Sequence, residues 1–226
     1  MNTAILIPAR YASTRFPGKP LTLLAGKTMI QRVAETCKSS GYDTFVLTDN
    51  KTIAQAAQAS GVSFYIDTED YENGTERCAG AVRSRKFDDY DQFINVQGDM
   101  PDVTHEMIEK TIMGLKYYTT STVFTTMPEE KQMDPNSVKM VRAGDQALWF
   151  GRGMTGYGEW HLGVYGYRKN ALQCYLDMRI EQEERVEKLE QLRWLKNGWQ
   201  MGCYRVNFNG IEINTPEDAQ AWQINT

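Results

Sequence analysis

The sequence has no long apolar run, no excess of positive charge, no Cys-x-x-Cys pair and no internal repeat, and each absence closes off a class. No stretch approaches the roughly 20 apolar residues that a bilayer span needs, so a soluble chain with no membrane partner is expected. Lys and Arg number 25 against 29 Asp and Glu, a net charge of -4. That balance argues against a general nucleic-acid binder and confines any cationic cluster to one locality. Cys37, Cys78, Cys174 and Cys203 lie far apart, which suits reduced structural thiols in a cytoplasm better than zinc or disulfides. Asn2-Thr3 runs straight into Ala4-Ile5-Leu6-Ile7 with no cationic leader before it, so this run is read as a core strand. A chain of 226 residues can bury a substantial core, and one domain is expected over 1–226.

What is present is an alternation. Ala4–Ile7, Thr44–Thr48, Val62–Ile66 and Phe93–Val96 read as short buried strands. Between them Met29, Ile30, Val33, Ala34 and Cys37, then Ile53, Ala54, Ala56 and Ala57, fall at helical spacing, and Gly41 and Gly61 act as stops. A further helix is expected from about Thr75 to Ser84. This is the pattern of an α/β fold with a mostly parallel central sheet and helices on both faces. After Pro128 the pattern changes. Val138–Arg142 and Gln146–Phe150 flank the hairpin signal Ala143-Gly144-Asp145, which predicts a small antiparallel β insertion at about 136–168. In His161–Tyr167 a period of two puts His161, Gly163, Tyr165 and Tyr167 on one face. Val186–Leu195 reads as one helix with Leu189, Leu192 and Leu195 on a stripe, and Tyr204–Phe208 as the final strand. Thr215-Pro216 opens the last helix.

Two stretches carry chemistry. The turn Gln97-Gly98-Asp99-Met100-Pro101 places Asp99 beyond a strand's carboxyl end, where ligands bind in open α/β sheets. Asp99 is read either as a metal ligand or as the cap of a helix beginning near Thr104. The loop from Pro8 to Leu21 gathers Arg10, Arg15 and Lys19 with hydroxyls and a glycine, which suits a polyphosphate, although such a loop is also an ordinary solvated surface. Gly26-Lys27-Thr28 lacks the earlier glycine of a P-loop and reads as a turn and helix start.

These stretches, together with Asn73-Gly74-Thr75-Glu76-Arg77, His161–Arg168, Leu189-Glu190-Gln191-Leu192-Arg193 and Thr215-Pro216-Glu217-Asp218, resemble in content and order the 3-deoxy-manno-octulosonate (KDO) cytidylyltransferase family. The resemblance implies a Rossmann-like nucleotidyltransferase fold, a homodimer, and Mg²⁺-dependent transfer of CMP from CTP to an acidic eight-carbon sugar with release of pyrophosphate. It implies that Arg10, Arg15, Lys19 and Asp99 carry the catalytic charges. Pro8, Ala9, Arg10, Ser13, Arg15, Lys19, Asp49, Gly74, Arg77 and Gln97 would then line the nucleotide site. Gln97, Arg152, His161, Tyr165, Glu190 and Gln191 match the sugar pocket, with Arg152 or His161 answering the sugar carboxylate.

The chain also departs from the pattern. The metal-holding Asp that joins the Asp99 equivalent is Asn214 here, and Glu212, two residues back on an extended segment, is a possible substitute carboxylate. Met100 and Asn73 stand where the family usually has Glu and Ser, and Gly151-Arg152-Gly153 replaces a Ser-Arg-Ala-type turn. These changes leave open an amino-substituted octulosonate or a nonulosonate as acceptor. They also leave open a homologue that binds nucleotide or sugar without turnover.

Overall fold

The computed structural model describes residues 1–12 and 16–224. Ser13 and Arg15 lie outside the described residues. Strand β1 (Thr3–Ala9) is buried along its length and leads through a two-strand ribbon, β2 (Leu23–Leu24) and β3 (Lys27–Thr28), into helix α1 (Met29–Ser39). Thr28 caps α1 in a reciprocal box with Gln31, so Gly26-Lys27-Thr28 is a turn and helix start, as read from the sequence. Then come β4 (Asp43–Thr48), α2 (Lys51–Ala59), β5 (Ser63–Ile66), α3 (Gly74–Val82), β6 (Gln92–Val96), α4 (His105–Gly114) and β7 (Thr120–Thr125). The second half adds the hairpin β8 (Lys139–Ala143) and β9 (Gln146–Gly151), the long strand β10 (Glu159–Arg168), and α5 (Lys169–Cys174). It ends with α6 (Gln182–Glu187), α7 (Leu192–Lys196), β11 (Met201–Arg205) and α8 (Pro216–Ile224).

One nine-stranded sheet runs in the order β5-β4-β1-β6-β10-β7-β11-β9-β8. The expected parallel alternation holds for β5, β4, β1 and β6. Within this sheet β9 and β10 run against the other strands. The stretch expected as an insertion is part of the same sheet: β8 and β9 form its far edge, while β10 passes through the middle between β6 and β7. Strand β10 also reaches β8 through Glu159 and Trp160, so the far edge curls back on the centre.

Strand periodicity divides the core between two faces. Ala4 and Leu6 join one buried cluster with Phe87, Phe93, Tyr167 and Trp194, and Ile5 and Ile7 join a second with Ile30, Val33, Ile53 and Ile108. The face assignment for β10 holds too, since Tyr165 and Tyr167 lie in the first cluster and Leu162 and Val164 in the second. Cys37, Cys78 and Cys203 are buried, and burial pushes each thiol up from its ordinary value; Cys174 is exposed.

Two expected elements differ. The last strand is Met201–Arg205, because β11 pairs in register with β7 only from Thr120 to Phe124 before the Asn207-to-Gly210 stretch leaves the sheet. The expected helix over 186–195 is two short helices broken at Lys188, whose φ of 54° ends α6 in the left-handed region. The break turns Glu190 and Gln191 inward.

Candidate active site

The sheet delivers side chains to the carboxyl ends of β1, β4 and β6, and two adjoining cavities open there. The larger, about 800 Å³, is bounded by Arg10, Gln97, Asp99, Arg152, His161, Tyr165, Glu190, Gln191, Glu212 and Asn214, among others. The smaller, about 230 Å³, is bounded by Pro8, Ala9, Arg10, Lys19, Gly74, Arg77, Gln97 and Asp99, among others. Arg10, Gln97 and Asp99 belong to both walls. The sequence-predicted residues among those described therefore converge, with Asp49 just behind them, where its carboxylate accepts from Arg77 at 3.3 Å and from the Tyr11 amide at 3.3 Å.

At the junction the Lys19 ammonium donates to Asp99 Oδ2 at 2.5 Å and to the Ile213 carbonyl at 3.2 Å. Asp99 does not cap the following helix; the Thr104 hydroxyl does, accepting from the Met107 amide at 3.3 Å. Two glycines make room for Gln97. A Cβ at Gly74 would lie 3.0 Å from the Gln97 amide and from Pro8, and one at Gly163 would lie 3.1 Å from Gln97 Cγ. Gln97 Nε2 donates to Glu190 Oε1 at 2.9 Å, and the Thr75 amide donates to Glu190 Oε2 at 3.1 Å, so Glu190 closes the gap between the two walls. Burial raises the Glu190 carboxyl above its usual range. Asn73 caps α3 by accepting from the Glu76 amide at 2.9 Å, so the amide does the work of the expected serine.

On the far wall Arg152 donates from its amide to Glu187 Oε2 at 2.7 Å, and from its guanidinium to the Glu187 and Asn136 carbonyls. Tyr165 donates to Gln191 Oε1 at 3.3 Å, and Gln191 Nε2 is buried with no hydrogen-bond partner among the described residues. His161 is 3 % exposed and packs edge-on against Phe150. The Thr122 hydroxyl gives its one proton to the Val164 carbonyl, so it accepts from His161 Nε2–H at 2.9 Å, which leaves Nδ1 unprotonated. Burial, reinforced by the nearby Arg152 charge, pushes this imidazole down to about 3. His161 is therefore neutral and offers no positive charge to a carboxylate. Arg152 does.

The Ile213 amide donates to the Asp99 carbonyl at 3.4 Å while its side chain is fully buried, so Glu212 and Asn214 flank it at the cavity wall. Burial and then the Asp99 charge push the Glu212 carboxyl up to about 7. Among the described residues no three His, Cys, Asp or Glu side chains gather into a ready-made metal cluster. Two carboxylates and an amide oxygen at one wall, with one carboxylate raised by the other's charge, form a hard-oxygen set that suits a cation completed by phosphate oxygens.

Sequence reasoning missed one residue of consequence, Arg193, whose guanidinium is buried between Glu76 and Glu184. Nothing local to Leu189-Glu190-Gln191-Leu192-Arg193 marks this guanidinium as buried, because Glu76 lies 117 residues away in the chain and Glu184 meets it only across the break at Lys188.

Known proteins bear on this arrangement directly. The 8-amino-3,8-dideoxy-manno-octulosonate cytidylyltransferase of Shewanella sp. (strain ANA-3) is 36 % identical over 234 residues, covering 96 % of each chain. The mitochondrial 3-deoxy-manno-octulosonate cytidylyltransferase of Arabidopsis thaliana is 34 % identical over 232 residues, covering 95 % of this chain and 80 % of that one. A CMP:2-keto-3-deoxy-manno-octonic acid synthetase solved in complex with CTP superposes with a TM-score of 0.91 at 30 % identity, over 100 % of this chain and 98 % of that one. The profile of the cytidylyltransferase family matches residues 4–202, and with the convergence of residues from the resembled motifs on one junction it places this chain in the cytidylyltransferase family.

Proposed function

We propose that this cytidylyltransferase moves CMP from CTP to the anomeric hydroxyl of 3-deoxy-manno-octulosonate, releasing pyrophosphate. The observation that carries the reading is the shared wall: a smaller cavity edged with cations and a larger one with an arginine and hydroxyl partners meet at Gln97 and Asp99. The reaction forms a bond from the sugar oxygen to the α-phosphorus and breaks the bond to the β-phosphate, so the protein's task is positioning and charge neutralisation. Arg10 and Lys19 hold phosphate oxygens from the β1 side, and Arg77 and Asp49 fix the nucleoside. Arg152 pairs with the sugar carboxylate, neutral His161 and the spare Gln191 donor meet hydroxyls, and Glu190 accepts from one.

Magnesium belongs to the same proposal, with Asp99, Glu212 and Asn214 as its protein ligands. When bound, it supplies Lewis-acid charge at the phosphate oxygens. The homodimer rests on the family resemblance, and sedimentation tests it. Among the described residues no helix is long and apolar enough to cross a membrane, and the buried thiols favour a cytoplasmic setting.

The 36 % identity to 8-amino-octulosonate enzymes favours the amino sugar as a second acceptor. Pyrophosphate release measured with CTP, Mg²⁺ and either sugar decides between them. The octulosonate is expected to give the higher kcat/KM, and a higher value for the amino sugar reverses the assignment. Release with neither sugar sinks the acceptor class.

A further inference from the structure

Arg193 is 1 % exposed and lies between two carboxylates from different walls of the site. Its Nε donates to both Glu184 oxygens at 3.1 and 3.0 Å, and one terminal nitrogen donates to Glu184 Oε1 at 2.6 Å and to Glu76 Oε1 at 2.7 Å. Glu76 sits in the first turn of α3, and its other oxygen accepts from the Glu72 amide at 2.8 Å, so it braces the strap entering that helix. Glu184 belongs to α6 and borders the larger cavity. Tyr175 lies under the guanidinium at 4.2 Å and donates to the Glu190 carbonyl at 2.8 Å, which ties the cluster to the broken turn.

A buried ion cluster is a weak source of net stability, because desolvating three charges offsets most of their attraction. Its placement has another use. One end holds the wall that carries Asn73, Gly74 and Arg77, and the other holds the wall that carries Glu190 and Gln191. We propose that Arg193 is a positioning residue that couples the two cavities, so that nucleotide seated against the first turn of α3 orders the 184–191 segment to receive the second substrate. This rests on the nucleotide reading of the smaller cavity given above.

Glu76→Gln tests it, since it keeps the shape and the Arg193–Glu184 pair while weakening the link to α3. Hydrogen exchange with and without CTP and magnesium is expected to slow over 184–191 about tenfold more in the wild type than in the variant, a usual size for site-to-site coupling. Both proteins should gain protection over 74–77. In turnover the sugar KM should rise by about tenfold while kcat and the CTP KM move less than about threefold. Arg193→Lys, which keeps charge but not the fork, should fall between. Equal protection of 184–191 in both proteins, or a lower melting temperature with unchanged KM values, overturns the proposal. A wild type that protects both segments yet transfers CMP to no octulosonate refutes the acceptor reading and leaves the coupling standing, because the exchange comparison uses CTP and magnesium with no sugar.

Discussion

Asn214 presents a neutral oxygen to the wall where the resembled motif has a carboxylate, and Glu212 stands two residues away at the same wall. If Glu212 supplies the missing charge, Glu212→Gln weakens magnesium binding in the presence of CTP by on the order of tenfold, the scale on which even outer-shell partners act. Asn214→Asp strengthens it. Calorimetric titration of magnesium into the CTP complex reads both, and a Glu212→Gln protein with unchanged affinity removes Glu212 from the ligand set. His161 makes a second prediction at this scale. Its folded pKa, about 3, lies below the ordinary 6.5, so as pH falls below 6.5 the unfolded chain takes a proton that the folded chain refuses. Its contribution is neutral above pH 6.5 and destabilising below, by about 1.4 kcal/mol at pH 5.5 relative to pH 7.5. Urea unfolding of the wild type and His161→Gln at the two pH values isolates the difference, and the NMR signals of the His161 ring should not titrate above pH 5. That Arg10, Lys19 and Asp99 lie beyond strand ends at the cavities was legible from the sequence, because such loops show their chemistry locally. The charge state of His161 was not, because it depends on Thr122, Phe150 and Arg152 brought in from elsewhere.

The turn between α6 and α7 shows why an element can be read correctly in composition and wrongly in course. Leu189, Leu192 and Leu195 keep helical spacing, yet the chain breaks at Lys188 because Glu190 finds the Thr75 amide and the Gln97 side chain only if it leaves the helix. Tertiary partners outweigh local propensity here. Lys188 occupies a left-handed conformation that costs an L-residue roughly 1–2 kcal/mol, and a β-branched side chain there meets the most crowding. Lys188→Val should therefore lose about 1–2 kcal/mol in urea unfolding and raise the sugar KM, whereas Lys188→Gly should stay within about 1 kcal/mol of the wild type. A Val variant as stable and active as the Gly variant would mean that the turn does not set the wall. By contrast, α1, α2 and α3 were legible in place and course from their apolar spacing, and Thr28, Asn50 and Asn73 fix their starts with their own side chains.

Across the whole molecule, the parallel half of the sheet could be read from its alternation of strands and helices, while the placement of β10 between β6 and β7 could not. Strand partners far apart in sequence leave no local signal, so a hairpin followed by a long strand reads as an insertion until the pairing is seen. That placement matters, because β10 sets Tyr165 opposite Asn95 of β6, whose end carries Gln97 and Asp99, and sets His161 opposite Phe124 of β7 on the same cavity wall. Pro8 and Ala9 at the end of β1, Gly74 and Arg77 of α3, Gln97 and Asp99 after β6, and Glu212 and Asn214 all border the two cavities, so a ligand filling both should stabilise the fold as a unit. At a free concentration 100 times its Kd, a ligand that binds only the folded state adds about 2.7 kcal/mol. For a chain of this length that corresponds to a rise in Tm of roughly 5–10 °C. CTP with magnesium should produce that rise, and CTP with a chelator a smaller one. In Asp99→Asn the difference between the two should shrink, since Asp99, which Lys19 ties to the Ile213 carbonyl, is the proposed ligand of the ion. Equal shifts with and without magnesium in the wild type would show that the cation is bound by the nucleotide alone.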